Sequence, residues 1–248
     1  MTMIIAYKTD KGKQRRKNED AILVDQDSGI CILADGIGKR RAGEIASELA
    51  VKEVHAYLKD RIESIMSSDD ICRLLADAIT HAHCALRDRA KNDIRLSGMG
   101  TTIVLMLIKD KRAYICHAGD SRAYRLRNAT EQITVDHTFQ NYLDDNIMIR
   151  DLFFRKNARI LTEALGISEK LSLETNRLRL LKGDVLLLCS DGLTDMLSDD
   201  EIRKIVLDHC EAIDTAADAL IHAANSKGGK DNISVILMKW SGSKETLK

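Results

Sequence analysis

Three aspartates end apolar runs and a fourth precedes one. Asp35 follows Cys31-Ile-Leu-Ala34, Asp120 follows Ile115-Cys-His-Ala-Gly119, Asp191 follows Leu186-Leu-Leu-Cys-Ser190, and Asp231 stands just before Ile233-Ser-Val-Ile-Leu237. A single acid at a strand end is ordinarily a turn residue that satisfies local backbone. Four invite another reading, since strands that end together would bring the carboxylates to one place. Like charges that close repel unless protons or metal ions intervene. No His or Cys stands at ligand spacing beside them, so the donors are all oxygen, a set that suits Mg²⁺ or Mn²⁺ rather than zinc.

Other chemistries are formally open and weaker. Cys116-His-Ala-Gly-Asp-Ser-Arg122 fits the C-x-x-G-x-x-R string of cysteine-dependent phosphatases. That mechanism needs a cradle of amides opening a helix, whereas Arg122 to Leu126 alternates like a strand and Asp120 would put an anion inside the cradle. His81 and His83 suggest zinc, but they lie in a helical stretch with no third ligand nearby. Gly36-Ile-Gly38-Lys39 and Gly228-Gly229-Lys230 lack the spacing of nucleotide-binding loops.

The acids belong to a longer series of short motifs. In order these are Thr9-Asp-Lys-Gly-Lys-Gln-Arg-Arg-Lys-Asn-Glu-Asp20, Ala34-Asp-Gly-Ile-Gly38, Ala42-Gly-Glu44, Gly100-Thr-Thr102 and His117-Ala-Gly-Asp-Ser-Arg-Ala-Tyr124. Asp136-His-Thr138, Leu161-Thr-Glu-Ala-Leu-Gly166, Cys189-Ser-Asp-Gly-Leu193 and Lys230-Asp-Asn-Ile-Ser234 follow. The series, over about residues 5 to 240, resembles the metal-dependent PP2C-type (PPM) Ser/Thr protein phosphatases, and the chain looks like a compact bacterial member. The resemblance implies a two-metal hydrolase using Mn²⁺ or Mg²⁺. Asp35 would bridge both ions, Gly36 would ligate one through its carbonyl, and Asp191 and Asp231 would complete the other. Glu19 and Asp20 would hold waters on the metals, Asp120 with Asp191 would bind a third, weaker ion, and Asn232 would orient a ligand or a water. Arg15 matches the family's phosphate-binding arginine, a residue able to grip two phosphate oxygens at once. The implied substrates are proteins phosphorylated by a Ser/Thr kinase. The alternative is a degenerate module that binds phosphoproteins without hydrolysing them.

The chain departs from the family pattern in two places. Bacterial relatives usually carry Gly-Gly-His where Gly38-Lys39-Arg40 stands, and eukaryotic members place a histidine, a proposed general acid, where Ile37 stands. No motif-matched histidine is left for that role. Lys39 and Arg40, with Arg41, offer a basic loop that attracts anionic phosphopeptides, as does the stretch from Lys8 to Lys17; a solvated loop is the plainer reading. The second departure is a flap-like segment, about 138–160, without the usual Gly and Pro punctuation. Phe153-Phe154 lies in it, read as core packing or as a docking surface.

Positioning these residues asks for strands and helices in separate blocks. Met3 to Tyr7, Ala21 to Val24 and Ile30 to Ala34 read as strands, the last apolar throughout and suited to burial on both faces. Apolar residues at helical spacing run from Ala42 to about Ile65, and Ser68-Asp69-Asp70 offers the cap of a second helix to about Lys91. Thr101 to Ile108, Ala113 to His117, Arg122 to Leu126 and Gln132 to Val135 read as antiparallel strands at hairpin spacing. Asn141 to Lys156 is weakly helical, and Leu171 to Leu180 and Asp184 to Cys189 read as strands. Asp199 to His209 and Asp214 to Ser226 are helical, and Ile233 to Lys239 closes the chain as a strand. Such blocks argue for an α+β fold. The resemblance sharpens this to a four-layer α-β-β-α sandwich of two antiparallel sheets.

Composition narrows the partners. The 248 residues carry 38 basic and 38 acidic side chains, so no overall charge draws the chain to nucleic acid or an anionic membrane. The apolar runs fall far short of a membrane span, and no signal peptide is read at the N-terminus. The six cysteines form no C-x-x-C pair and mostly sit in apolar segments, as thiols in a reducing compartment do. With no proline and no linker, the expectation is one domain over 1–248, cytoplasmic and monomeric.

Overall fold

A computed structural model describes residues 3–38, 42–62, 66–142 and 160–242. The strands are β1 (Met3–Asp10), β2 (Asp20–Asp25), β3 (Ile30–Ile37), β4 (Gly100–Thr101), β5 (Ile103–Lys109), β6 (Arg112–Ala118), β7 (Arg122–Leu126), β8 (Thr130–Gln132), β9 (Glu174–Arg179), β10 (Val185–Cys189) and β11 (Ile233–Trp240). The helices are α1 (Ala42–Lys59), α2 (Ser68–Asn92), the single turns α3 (Phe139–Tyr142) and α4 (Asp191–Thr194), α5 (Asp199–Asp208) and α6 (Ile213–Ser226). One sheet runs β1-β11-β10-β7-β8 and the other β2-β3-β5-β6-β9, with β4 on β3. Every pairing between these strands is antiparallel.

The continuous apolar strands are explained by layers on both faces. Along β3, Ile30, Ile32 and Ala34 pack with α1 and α2, while Cys31 and Leu33 point between the sheets. Along β10, Val185, Leu187 and Cys189 pack with α5 and α6, while Leu186 and Leu188 meet the opposite sheet. Side chains alternate across a strand, so a strand inside a four-layer sandwich has no polar face to show. The expected α-β-β-α architecture is what forms.

The boundaries moved where local bonding outweighs pattern. Helix α1 stops at Lys59, and the amides of Arg61 and Ile62 close back on the Leu58 carbonyl, although the apolar spacing continues to Ile62. The cap of α2 is Ser67, one residue before the expected trio, in a reciprocal box with Asp70. Strand β8 ends at Gln132 because the Thr134 hydroxyl accepts the Ala123 amide at 3.1 Å, a side chain standing in for a ladder carbonyl. The expected helix from Asn141 is described only at its start, in α3. Residues 143–159, with Phe153-Phe154, lie outside the described residues. Among the described residues no helix is long and apolar enough to cross a membrane.

Candidate active site

Both sheets deliver their acids to the same end of the sandwich. Asp20 opens β2 directly opposite Asp35 near the end of β3, and Asp120 follows β6. From the other sheet, Asp191 follows β10 and Asp231 precedes β11. A cleft of about 300 Å³ is lined by Arg15, Glu19, Asp35, Gly36, Asp120, Asp191, Asp231 and Asn232, together with Ile37, Gly38, Thr102 and Leu161. A wider cleft of about 530 Å³ continues from it past the shared Asp120 and Asp191. Asp20 is not among the residues that line either cleft. Lys39 and Arg40 fall outside the described residues.

Two glycines let the turns meet. A side chain on Gly192 would place its Cβ 1.9 Å from the Asn232 carbonyl oxygen, so only glycine lets the turns after β10 and before β11 touch. At Gly36 a Cβ would lie 2.3 Å from the Gly43 carbonyl oxygen, where the end of β3 runs against the start of α1.

Hydroxyls and one amide hold the acids in place. Ser190 and Ser234 both donate to Asp20 Oδ2, at 2.9 and 2.6 Å. The Asp35 amide donates to Thr102 Oγ1 at 3.0 Å, and Thr101 Oγ1 donates to the Asp35 carbonyl at 2.8 Å. Thr102 Oγ1 in turn lies 2.7 Å from Ser121 Oγ, beside Asp120. Asn232 reaches Asp231 only through its backbone amide, at 2.8 Å. Its side chain does something the sequence reading did not foresee. Nδ2 donates to the carbonyls of Lys11 and Lys17 at 2.9 and 2.8 Å, and Oδ1 accepts the Glu19 amide at 2.8 Å. Asn232 thus staples both ends of the loop that carries Arg15. Arg15 also differs from expectation, because its Nη2 donates to Asp231 Oδ2 at 2.5 Å, tying the expected phosphate grip to an acid of the cluster.

The electrostatics are those of buried, crowded carboxylates that outnumber the Arg15 guanidinium beside them. Burial, then Asp20, Asp191, Asp120 and Asp231, hold the Asp35 carboxyl well above the usual range. Burial, then Asp120 and Asp231, raise Asp191 to about 7. Asp20 and Asp120 rise to about 6, burial again leading. Among the described residues the buried oxygens Asp20 Oδ1 and Asp191 Oδ1 have no hydrogen-bond partner. Orphaned acceptors among crowded acids are what bound cations would satisfy, and an all-oxygen donor set fits Mn²⁺ or Mg²⁺.

The rival chemistries fail on geometry. Cys116 is fully buried in β6 and burial pushes its thiol up to about 12, while Arg122 is committed to Asp136 at 2.6 Å, so no thiolate cradle exists. His81 sits 3.1 Å from Glu53, and His83 Nδ1 accepts the Gly166 amide at 3.2 Å. No histidine lines the smaller cleft among the described residues.

The family model described as Protein phosphatase 2C matches residues 11–237. The chain belongs to the protein phosphatase 2C family. Among curated relatives of this phosphatase, the serine/threonine phosphatase stp of Listeria monocytogenes is 35% identical over 239 residues, covering 94% of each chain. Protein phosphatase PhpP of Streptococcus pneumoniae is 32% identical, covering 96% of this chain and 98% of its own. The serine/threonine phosphatase PstP/Ppp of Mycobacterium tuberculosis superposes with a TM-score of 0.85 at 31% identity, over 98% of this phosphatase and 100% of the solved chain. The catalytic domain of a serine threonine protein phosphatase PstP, solved in complex with two manganese ions, superposes at 0.81 with 31% identity, over 96% and 97% of the chains.

Sequence reasoning missed Ser190, Ser234 and Thr102 as positioning residues, although each stood inside a motif. Ser234 carried a signal of its own: it is the lone hydroxyl in the otherwise apolar run from Ile233 to Met238. The staple made by the Asn232 side chain had none, since its partners lie more than 200 residues away.

Proposed function

We propose that the cleft holds two Mn²⁺ or Mg²⁺ ions, bridged by Asp35 and completed by the Gly36 carbonyl, Asp191 and Asp231. Glu19 and Asp20 border them through water, and Asp120 with Asp191 takes a third, weaker ion. The protein is a metal-dependent serine/threonine phosphatase that hydrolyses phosphoserine and phosphothreonine to free hydroxyl and phosphate. What carries the site assignment is the meeting of acids from two sheets in one cleft, with carboxylate oxygens left unpartnered.

When bound, the ions lower the pKa of a shared water and neutralise charge on the phosphoryl group. The chain's own residues supply the geometry. Arg15 stands at the rim with its side chain 53% exposed, where its remaining N–H groups can take phosphate oxygens in a fork that lysine lacks. Asn232 fixes the loop beneath it, so that the guanidinium arrives already oriented. The serines on Asp20 hold Oδ2 and leave Oδ1 without a hydrogen-bond partner among the described residues. The substrates are phosphoproteins, in our reading those of a Ser/Thr kinase. We further place the protein as a single-domain monomer in the cytoplasm, where its six free cysteines would stay reduced.

Hydrolysis of p-nitrophenyl phosphate and of phosphopeptides with Mn²⁺ tests the reading. Asp231→Ala is expected to lose roughly a hundredfold or more of kcat, since it removes part of the metal clamp. Arg15→Ala is expected to act chiefly on KM, raising it roughly 10- to 100-fold for phosphopeptides, the worth of a charge-assisted hydrogen-bond pair. Wild-type turnover by Asp231→Ala would remove the assignment.

A further inference from the structure

Outside the carboxylate cleft, one group of side chains among the described residues has metal-ligating chemistry and an unexplained atom. His117, His137 and Glu174 each offer a ligand atom, all lying within 4.8 Å of one another. We propose that these three residues form a separate metal site that takes a borderline cation of the Zn²⁺ class, and that filling it disturbs the Asp120 turn. The inference goes beyond the phosphatase reading and uses none of the ligands assigned to the cleft.

The fold brings the three together from distant stretches. His117 and Glu174 face each other across the β6–β9 ladder, and β9 is the edge of its sheet. His137 comes in from the loop after β8, its backbone amide donating to the Gly119 carbonyl at 3.0 Å. The two imidazoles stack, with ring centroids 4.5 Å apart. His137 Nε2 lies 3.9 Å from Glu174 Oε1.

The deciding atom is His117 Nδ1. His117 has no exposed surface, and its Nε2 lies 2.9 Å from the Val135 carbonyl, a contact only an Nε2–H can make favourably. That fixes the tautomer and leaves Nδ1 as a bare lone pair, and among the described residues it has no partner. A buried acceptor without a donor is destabilising, whereas a metal ion on that lone pair would satisfy it. Burial lowers both histidines, so both are neutral and competent to ligate at neutral pH. Two imidazoles and one carboxylate with an open fourth position form a donor set that zinc accepts, while Mg²⁺ and Mn²⁺ prefer the oxygen cluster. Tetrahedral ligands on zinc stand about 3.4 Å apart, so the site must contract, and the half-exposed Glu174 carboxylate has room to swing.

Filling the site has a consequence for the phosphatase. His137 Nδ1 now accepts the Gly119 amide at 3.3 Å, which places its proton on Nε2. Ligation through Nε2 displaces that proton, and a neutral ring then carries it on Nδ1, where it opposes the Gly119 N–H. The hydrogen bond is lost, and Gly119 is the residue before Asp120 in a left-handed turn at φ +105. Metal here therefore loosens the turn that holds Asp120.

The test uses the full chain saturated with Mn²⁺, with Zn²⁺ as ligand and Co²⁺ as its spectroscopic stand-in. The wild type is expected to bind one further ion, and Co²⁺ is expected to give the intense visible bands of a low-coordinate site with imidazole ligands. Glu174→Ala removes an exposed side chain that takes no part in the cleft, so its hydrolysis without zinc should match the wild type. Its affinity for the added ion should drop at least about tenfold, the lower end of what losing even a supporting residue does to a metal site. Inhibition by Zn²⁺ should weaken in parallel. His137→Gln should likewise abolish the Co²⁺ bands, with thermal melting reporting that the variant is folded. Zinc that binds and inhibits Glu174→Ala as it does the wild type would be acting in the carboxylate cleft, and the proposal would be wrong; so would it be if Mn²⁺-saturated wild type bound no further ion.

Discussion

Ser234 shows how much of this site is held by residues that touch neither phosphate nor metal. Its hydroxyl donates to Asp20 Oδ2 at 2.6 Å and lies 2.8 Å from Thr9 Oγ1, with no exposed surface. With Ser190 on the same oxygen, it leaves Oδ1 as the Asp20 oxygen without a partner among the described residues. Ser234→Ala removes one atom from a packed strand, so the fold should survive. Mn²⁺ affinity is expected to fall roughly 10- to 100-fold, as when a ligand loses the partner that orients it. A Mn²⁺ titration of activity reads this directly: the half-saturating concentration should rise while kcat at saturating metal recovers. An unchanged titration would mean that Asp20 does not depend on its serines. The acids that meet in the cleft were legible in the sequence because each ends or precedes a strand. Ser234 was visible only as a polar residue out of place, and the Asn232 staple was not visible at all.

Elements follow the same division between local and distant causes. Continuous apolar runs marked β3, β5, β10 and β11, since burial on two faces leaves no alternation to read. The short β8 and the end of α1 were misplaced, because a threonine hydroxyl and a backbone turn, rather than hydrophobic spacing, terminate them. Cap chemistry is also local, and α5 shows what it does. Ser198 and Glu201 form a reciprocal capping box, and Lys227, just past α6, reaches Glu201 at 2.6 Å. Lys227 first, then Ser198, bring the Glu201 carboxyl down to about 2. A carboxyl depressed in the folded state contributes stability above its unfolded value, and that contribution disappears as pH falls through its folded value. Glu201→Gln should therefore melt below the wild type at pH 6. The two melting curves should converge as pH falls from about 4.5 to about 2, a window set by the unfolded and folded values. A gap that persists at pH 2 would assign the effect to packing.

At the scale of the whole molecule, the cleft lies where two sheets share a core but contribute acids of one sign. Asp20, Asp35 and Asp120 come from one sheet, Asp191 and Asp231 from the other. Cations bound there, as proposed, would neutralise the crowding and also tie the two halves of the sandwich together. Binding to the folded state alone stabilises it by mass action, about 2.7 kcal/mol at a metal concentration a hundred times Kd. For a chain of this size that corresponds to a rise in Tm of about 5–10 °C. The converse follows from Asp35, whose carboxyl is raised by burial and four neighbouring aspartates. Asp35→Asn removes one repelling charge and can donate to Asp20, so in EDTA it should melt above the wild type. In saturating Mn²⁺ the order should invert, because the variant would lack a carboxylate proposed to hold both ions. Calorimetry on both proteins with and without Mn²⁺ reads all four values. If Asp35→Asn melted lower in EDTA and kept the full Mn²⁺ shift, Asp35 would be an ordinary core-edge residue, and the cations would have to sit elsewhere.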